Sequence, residues 1–135
     1  MRVLLDTDVV LDFLLARQPF DAAARAIWQA HEQGQCMAHV SAITPVNVFY
    51  IARRLVGIGD AQRLLSILLL ALPICPVDTG VLTAAQQFGF SDFEDAVQLA
   101  AAQAAGLGAL VTRNIGDYRG ARLSVLTPTD FLTRL

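Results

Sequence analysis

The stretch Val3-Leu4-Leu5-Asp6-Thr7-Asp8-Val9-Val10-Leu11-Asp12-Phe13-Leu14 changes its apolar period halfway along. Val3 to Leu5 form a continuous aliphatic run, the pattern of a short strand buried on both faces. After Asp6, the apolar residues Val9, Val10, Phe13 and Leu14 recur at helical spacing, with Thr7 or Asp8 as the cap. A buried strand that runs straight into a helix is the opening of a β-α-β crossover.

The rest of the chain repeats this alternation. Pro19 opens a helical pattern through Ala23, Ile27 and Ala30, and Gly34 ends it by taking a left-handed backbone at low cost. Met37 to Val40 reads as a second buried strand. Thr44-Pro45 starts a helix to Leu55, stopped by Gly57 and Gly59. Asp60 caps a further helix through Leu69, and Leu72 to Val77 reads as an edge strand, where Pro73 and Pro76 are tolerated. Asp78 or Thr79 opens a helix to Phe88. Ser91-Asp92-Phe93-Glu94 matches a capping box at the head of an alanine-rich helix to Ala105. Ala109 to Thr112 has the look of a central parallel strand, Leu123 to Val125 is the last strand, and Thr127-Pro128 starts a final helix. Strands alternating with helices, and no hairpin signals, predict an α/β fold with right-handed crossovers and a parallel sheet covered on both faces. Ligands of such sheets bind beyond the carboxyl ends of the strands. Asp6 falls at that edge, and the helix starts at Asn47 and Asp95 are expected to face it.

At 135 residues, the chain is expected to form a single domain over 1–135. All ten of its cations are arginine. The absence of lysine excludes a Walker A phosphate loop and Schiff-base catalysis. Net charge is -2, which argues against a broad basic surface, so any phosphate contact must be local. The hydrophobic share of 55% and mean hydropathy of +0.51 exceed what a solvated monomer needs, and so predict a homodimer or a tight protein complex. The longest apolar run, Leu64 to Val77, is interrupted by Ser66, Pro73 and Pro76 and falls short of the roughly 20 residues of a bilayer span. The first residues do not suit a secretory signal, so the expected location is the cytoplasm. Cys36 and Cys75 lack metal or redox spacing and read as small core residues.

Seven of the twelve acids fall into three groups: Asp6, Asp8 and Asp12; Asp92, Glu94 and Asp95; and Asp117. An acid at the end of a buried strand has desolvation working against its charge unless a cation or amides compensate, which singles out Asp6. Asp8 reads equally as a helix cap, and Asp12 as a solvated or arginine-paired side chain. In the second group the helix dipole alone favours acids in the first turn. The capping box accounts for Glu94, whereas Asp92 and Asp95 lie three apart on one face, with Asp95 deeper. After the presumed central strand, Asp117 could add a third carboxylate, with Thr112 and Asn114 as hydrogen-bonding groups and Arg113 as a partner of phosphate or acid. Carboxylates without His or Cys select Mg²⁺ or Mn²⁺ over zinc, and such a cation suits phosphodiester hydrolysis. His31 and His39 read as surface or sheet-end residues. Arg17, Arg53, Arg54 and Arg113 are the open choices for a phosphate contact.

In this order and spacing, Leu5-Asp6-Thr7-Asp8-Val9-Val10-Leu11-Asp12, Val40-Ser41-Ala42-Ile43-Thr44, Asp92-Phe93-Glu94-Asp95-Ala96 and Val111-Thr112-Arg113-Asn114 with Asp117-Tyr118 resemble a PIN domain. Among such domains the chain most resembles the VapC-type toxin ribonucleases of bacterial toxin–antitoxin pairs. The resemblance implies a three-layer α/β/α sandwich and a Mg²⁺- or Mn²⁺-dependent endoribonuclease, inhibited by a cognate antitoxin and usually dimeric. It maps the acidic constellation onto Asp6, Asp95 and Asp117. Asn47 stands where the usual pattern has a glutamate, a change that removes one charge and lowers the expected metal affinity unless Asp92 or Asp12 compensates.

Two other readings compete. Asp6-Thr7-Asp8 fits the Asp-x-Asp signature of haloacid dehalogenase-like phosphatases, but those enzymes need a Lys or Arg and a second acidic pair that Gly116-Asp117 does not complete. The other is a non-catalytic PIN-like module that binds RNA or a protein.

Overall fold

The computed structural model describes residues 1–135. In chain order the strands are β1 (Arg2–Leu5), β2 (Met37–Ser41), β3 (Ile74–Cys75), β4 (Ala109–Val111) and β5 (Ser124–Leu126). The helices are α1 (Thr7–Leu14), α2 (Asp21–Glu32), α3 (Ile43–Val56), α4 (Ile58–Ala71), α5 (Thr79–Gln87), α6 (Phe93–Ala104) and α7 (Pro128–Leu132), with a 3₁₀ turn at Ile115–Tyr118. All strand pairs are parallel, in the order β3-β2-β1-β4-β5. From β1 the chain moves outward to β2 and β3 and later returns to the other side of β1 as β4 and β5. The strand order therefore reverses at β1, and the crevice beyond the carboxyl end of β1 is where such a sheet leaves room for a ligand.

Alternation along the strands divides the core in two. Val3 and Leu5 of β1 join Ala38 and Val40 of β2 and Val111 of β4 in one cluster, packed with Val9, Val10, Ile27, Trp28, Leu68 and Phe131 from the helices. Leu4 and Leu110 face the opposite way, into a cluster with Val81, Ala85, Val97, Leu99 and Tyr118. The result is a three-layer α/β/α sandwich, with α5 and α6 on the second face. Strand β1, covered on both sides, carries three consecutive aliphatic residues at 2% exposure or less, so the uninterrupted apolar run is a direct product of its burial.

Several local signals act differently from expectation. Helix α2 starts at Asp21, two residues after Pro19. Asp60 does not cap α4, whose helix already begins at Ile58; it pairs instead with Arg63 at 3.0 Å. Strand β3 shrinks to two residues because only Ile74 and Cys75 pair with β2, between the flanking prolines. Neither histidine is the surface or sheet-end residue expected: His39 is buried in the middle of β2, and His31 ties α2 to the Ala38 amide and the Ala71 carbonyl, so both are structural. Burial raises the thiol pKa of Cys36 and Cys75 above the ordinary value, in keeping with a core role.

Thr44 does not cap α3. Its hydroxyl lies 3.0 Å from that of Thr7, and the Gln98 amide donates to both, at 3.0 Å to Thr7 and 3.2 Å to Thr44. Thr44 and Gln98 are fully buried and Thr7 nearly so. Three side chains from α1, α3 and α6 thus make one polar knot in an apolar interior, where each lost bond leaves a desolvated partner. Gln98→Ala is expected to lower the urea unfolding free energy by about 2–4 kcal/mol, from the cavity and the loss of the amide's bonds to two buried hydroxyls that then keep only each other. A loss under about 0.5 kcal/mol would show that the knot does not hold the helices together.

Candidate active site

Asp6 is the residue between β1 and α1. Its amide continues the sheet by donating to the Val111 carbonyl at 2.9 Å. Its side chain, only 6% exposed, accepts from Thr112 Oγ1 at 2.7 Å and from the Tyr118 hydroxyl at 3.3 Å, both on Oδ2. The same Tyr118 hydroxyl lies 3.2 Å from Asp95 Oδ1. One phenolic oxygen thus bridges two carboxylates that are 89 positions apart in sequence. Tyr118 ends the 3₁₀ turn that also carries Asp117. Asp95 and Asp117 line one cleft of about 420 Å³ with Asp92, Phe90 and Arg119.

The second acidic group is wired differently from a capping box. Asp92, not Ser91, caps α6, its Oδ1 accepting from the Asp95 amide at 3.3 Å. That frees Glu94, whose carboxylate faces the side-chain amide of Asn47 and feels the charges of Asp92, Asp6 and Asp8. Asn47 therefore meets the acidic region through Glu94, in the first turns of two helices locked by the Thr44–Gln98 contact. The sequence reading gave Glu94 a local role and gave Gln98 and the Tyr118 hydroxyl none.

The first group divides. Asp8 caps nothing; it lies 3.6 Å from Arg17 Nη2, with Asn114 Nδ2 at 3.5 Å from its Oδ2. Asp12, 1% exposed, takes a hydrogen bond from Arg17 Nε at 2.9 Å and one from Arg113 Nη2 at 3.3 Å. Arg113 Nε sits 2.8 Å from the other Asp12 oxygen, with its N–H misaligned for a hydrogen bond. The Arg113 guanidinium also lies over the Phe20 ring, 3.9 Å from its centre. Asp12 is thus an arginine-bound anchor between α1 and the loop after β4, and it cannot compensate for the amide at Asn47. Thr112, fully buried, positions Asp6 and accepts from the Asn114 amide at 3.0 Å. Arg53 lies over Tyr50 at 5.6 Å near the end of α3.

No arginine pairs with Asp6, Asp92, Glu94, Asp95 or Asp117; the five ion pairs of the molecule use other acids. Desolvation, and then the neighbouring charge of Asp8, raises the pKa of Asp6 despite its hydrogen bonds. Desolvation, followed by the charges of Asp92 and Asp6, pushes Asp95 up to about 7. Burial and the adjacent acids raise the Tyr118 pKa as well, so the phenol stays protonated as a donor. Hard oxygen donors with uncompensated negative charge fit Mg²⁺ or Mn²⁺. No three His, Cys, Asp or Glu side chains converge into a ready-made cage, so the arrangement is an open cleft lined by Asp92, Asp95 and Asp117, with buried Asp6 behind it tied to Asp95 through Tyr118.

The raised Asp95 pKa gives a sign for the pH response. Between its ordinary value of 3.8 and about 7 the folded chain holds a proton that the unfolded chain has released, so this group weakens the fold as pH rises through that window. In chelator, Asp95→Asn is expected to raise the melting temperature above wild type by a margin that widens from about pH 5 to about pH 8. A margin that is flat or narrows with pH would refute the assignment of a strained carboxylate.

The PIN domain family model matches residues 2–116. No curated protein matches the chain. Among solved structures, a toxin–antitoxin complex from Klebsiella pneumoniae is similar at 26% identity over 93% of this chain and 97% of its own, with a TM-score of 0.68. DNA-bound VapBC from Salmonella typhimurium is similar at 14% identity over 95% and 98%, with a TM-score of 0.75. Mycobacterium tuberculosis VapC20, described as a Sarcin-Ricin loop cleaving toxin, is similar at 15% identity over 80% and 86%, with a TM-score of 0.67. The last two likenesses speak for the fold alone. The phosphatase reading of Asp6-Thr7-Asp8 gives way to the family match and to the use of Asp8 by Arg17 and Asn114. An all-parallel five-stranded sheet with acids gathered beyond β1, matched by the family model over most of its length, places this chain in the PIN domain family.

Proposed function

We propose that the protein is a Mg²⁺- or Mn²⁺-dependent endoribonuclease, the toxin of a toxin–antitoxin pair. The observation that carries this reading is the Asp6–Tyr118–Asp95 bridge at the strand-order reversal, left without any arginine to neutralise it. Asp6, Asp95 and Asp117 would hold the cation, with Asp92 at the rim. Glu94, set against Asn47, offers the charge that an amide at position 47 does not. The cation would supply Lewis acidity to the phosphodiester and to the attacking water. The chain's own contribution is orientation: Thr112 and Tyr118 fix the Asp6 carboxylate, and Asp92 holds the first turn of α6, which presents Asp95. That no three acids converge favours, as a second reading, a non-catalytic module binding RNA or protein.

An antitoxin and a second copy of the chain are the proposed protein partners. Supporting them is the α3–α4 hairpin, which leaves Tyr50, Leu55, Ile58 and Leu70 in water, the last at 89% exposure. No helix is long and apolar enough to cross a membrane.

Purified, antitoxin-free protein is expected to cut RNA with Mn²⁺, and Asp6→Asn to reduce the rate by at least about 100-fold. Glu94→Gln is expected to weaken Mn²⁺ binding in calorimetry, and Asn47→Glu to strengthen it. Wild-type protein as inert as Asp6→Asn would leave the non-catalytic module standing; Mn²⁺ affinity unmoved by either change would place Glu94 and Asn47 outside the metal site. Light scattering at micromolar concentration should return twice the chain mass, and a monomer would remove the dimer.

A further inference from the structure

We propose that Phe90 and Arg119 form a nucleotide subsite on the acidic cleft, in which Phe90 stacks a base of single-stranded RNA and Arg119 takes the adjoining phosphate. The proposal rests on the ribonuclease reading and names the substrate contacts that reading lacks. At about 420 Å³ the cleft lies in the range of small-ligand sites. Phe90 is its one apolar wall and Arg119 its one cation, against Asp92, Asp95 and Asp117.

Arg119 is available because the other arginines near the site are spent. Arg17 and Arg113 both close on Asp12, and Arg113 also covers Phe20. Arg119 is exposed and enters none of the ion pairs, although three carboxylates line the same cleft. An unpaired guanidinium there suits a bidentate phosphate contact. The ring of Phe90 is held, not loose: it meets Tyr118 edge-on at 6.3 Å and Phe88 at 5.7 Å. Through Tyr118 it is tied to the hydroxyl that bridges Asp6 and Asp95. A base stacked on Phe90 would therefore hold its phosphate beside the fixed acid pair. Stacking is tolerant of sequence, since every base has a π-face.

Binding of a short fluorescent single-stranded RNA is measured by anisotropy on the whole protein, with Ca²⁺ replacing Mn²⁺ so that the RNA stays intact. Arg119→Ala should weaken binding about tenfold at low salt and reduce the slope of log K against log salt by about 0.7, while Arg119→Lys keeps the slope. Phe90→Leu should weaken binding about five- to tenfold with the slope unchanged. Because Phe90 also packs on Tyr118, its melting temperature is taken alongside; exposed Arg119 carries the test free of any folding defect. Arg119→Ala and Phe90→Leu proteins that bind like wild type overturn the subsite while leaving the ribonuclease reading in place. Wild type that binds no RNA overturns both. An arginine-rich peptide that binds the cleft, and binds tighter after Arg119→Ala, overturns the subsite in favour of a protein ligand.

Discussion

The contact among Thr7, Thr44 and Gln98 sets the geometry from which the acidic cleft follows. Each residue belongs to a helix whose opening turn faces the carboxyl edge of the sheet: α1 directly after Asp6, α3 one turn before Asn47, and α6 one turn beyond Glu94 and Asp95. Apolar packing alone would let these helices slide, because dispersion contacts are non-directional. Hydrogen bonds between groups with no access to water have direction, and a slide would break them with no solvent to replace them. The interior therefore gives up some apolar surface in return for a defined relation among three helix starts.

Charge is distributed with the same division of labour. Asp12 gathers Arg17 and Arg113 and closes α1 onto the loop after β4. That loop delivers Thr112 to Asp6 and leads into the 3₁₀ turn bearing Asp117 and Tyr118. A single buried acid thus absorbs the two guanidiniums that would otherwise have quenched the site. Burial first, and then repulsion among the acids that remain, makes Asp6 and Asp95 hold their protons more firmly than free carboxyls do. A structure that concentrates like charge in this way is under local strain, which the cation of the proposed reading would relieve.

Much of this was legible in the residues because the signals were periodic or positional. Val3-Leu4-Leu5 gave the buried strand, and the β-α alternation gave the parallel sheet. Asp78 and Thr127 cap the helices they precede, as short polar residues in such positions do. What misled was local chemistry with a long-range partner. Thr44 looked like a cap until Gln98, 54 residues away, was seen to claim its hydroxyl. Ser91-Asp92-Phe93-Glu94 satisfied a capping box on paper, yet Asp92 caps and Glu94 turns to Asn47. Asp12 reads as solvated or arginine-paired and is indeed arginine-paired, but its deep burial left no local mark, since one of the two arginines that complete it lies 101 positions on. Gln98 and Tyr118 sat inside an alanine-rich helix and a loop, and only the closure of the sheet gave either of them a partner.

The two-residue strand β3 has an effect beyond pairing with β2. A sheet edge is ordinarily an invitation to another chain, a row of amides and carbonyls ready to extend the ladder indefinitely. Here the margin is a stub between Pro73 and Pro76, and proline lacks the amide such growth would need. A chain this rich in aliphatic residues is thereby steered away from fibre-like growth at this edge. Any association on this side of the molecule is left to side chains on helices, which can close into discrete assemblies and come apart again.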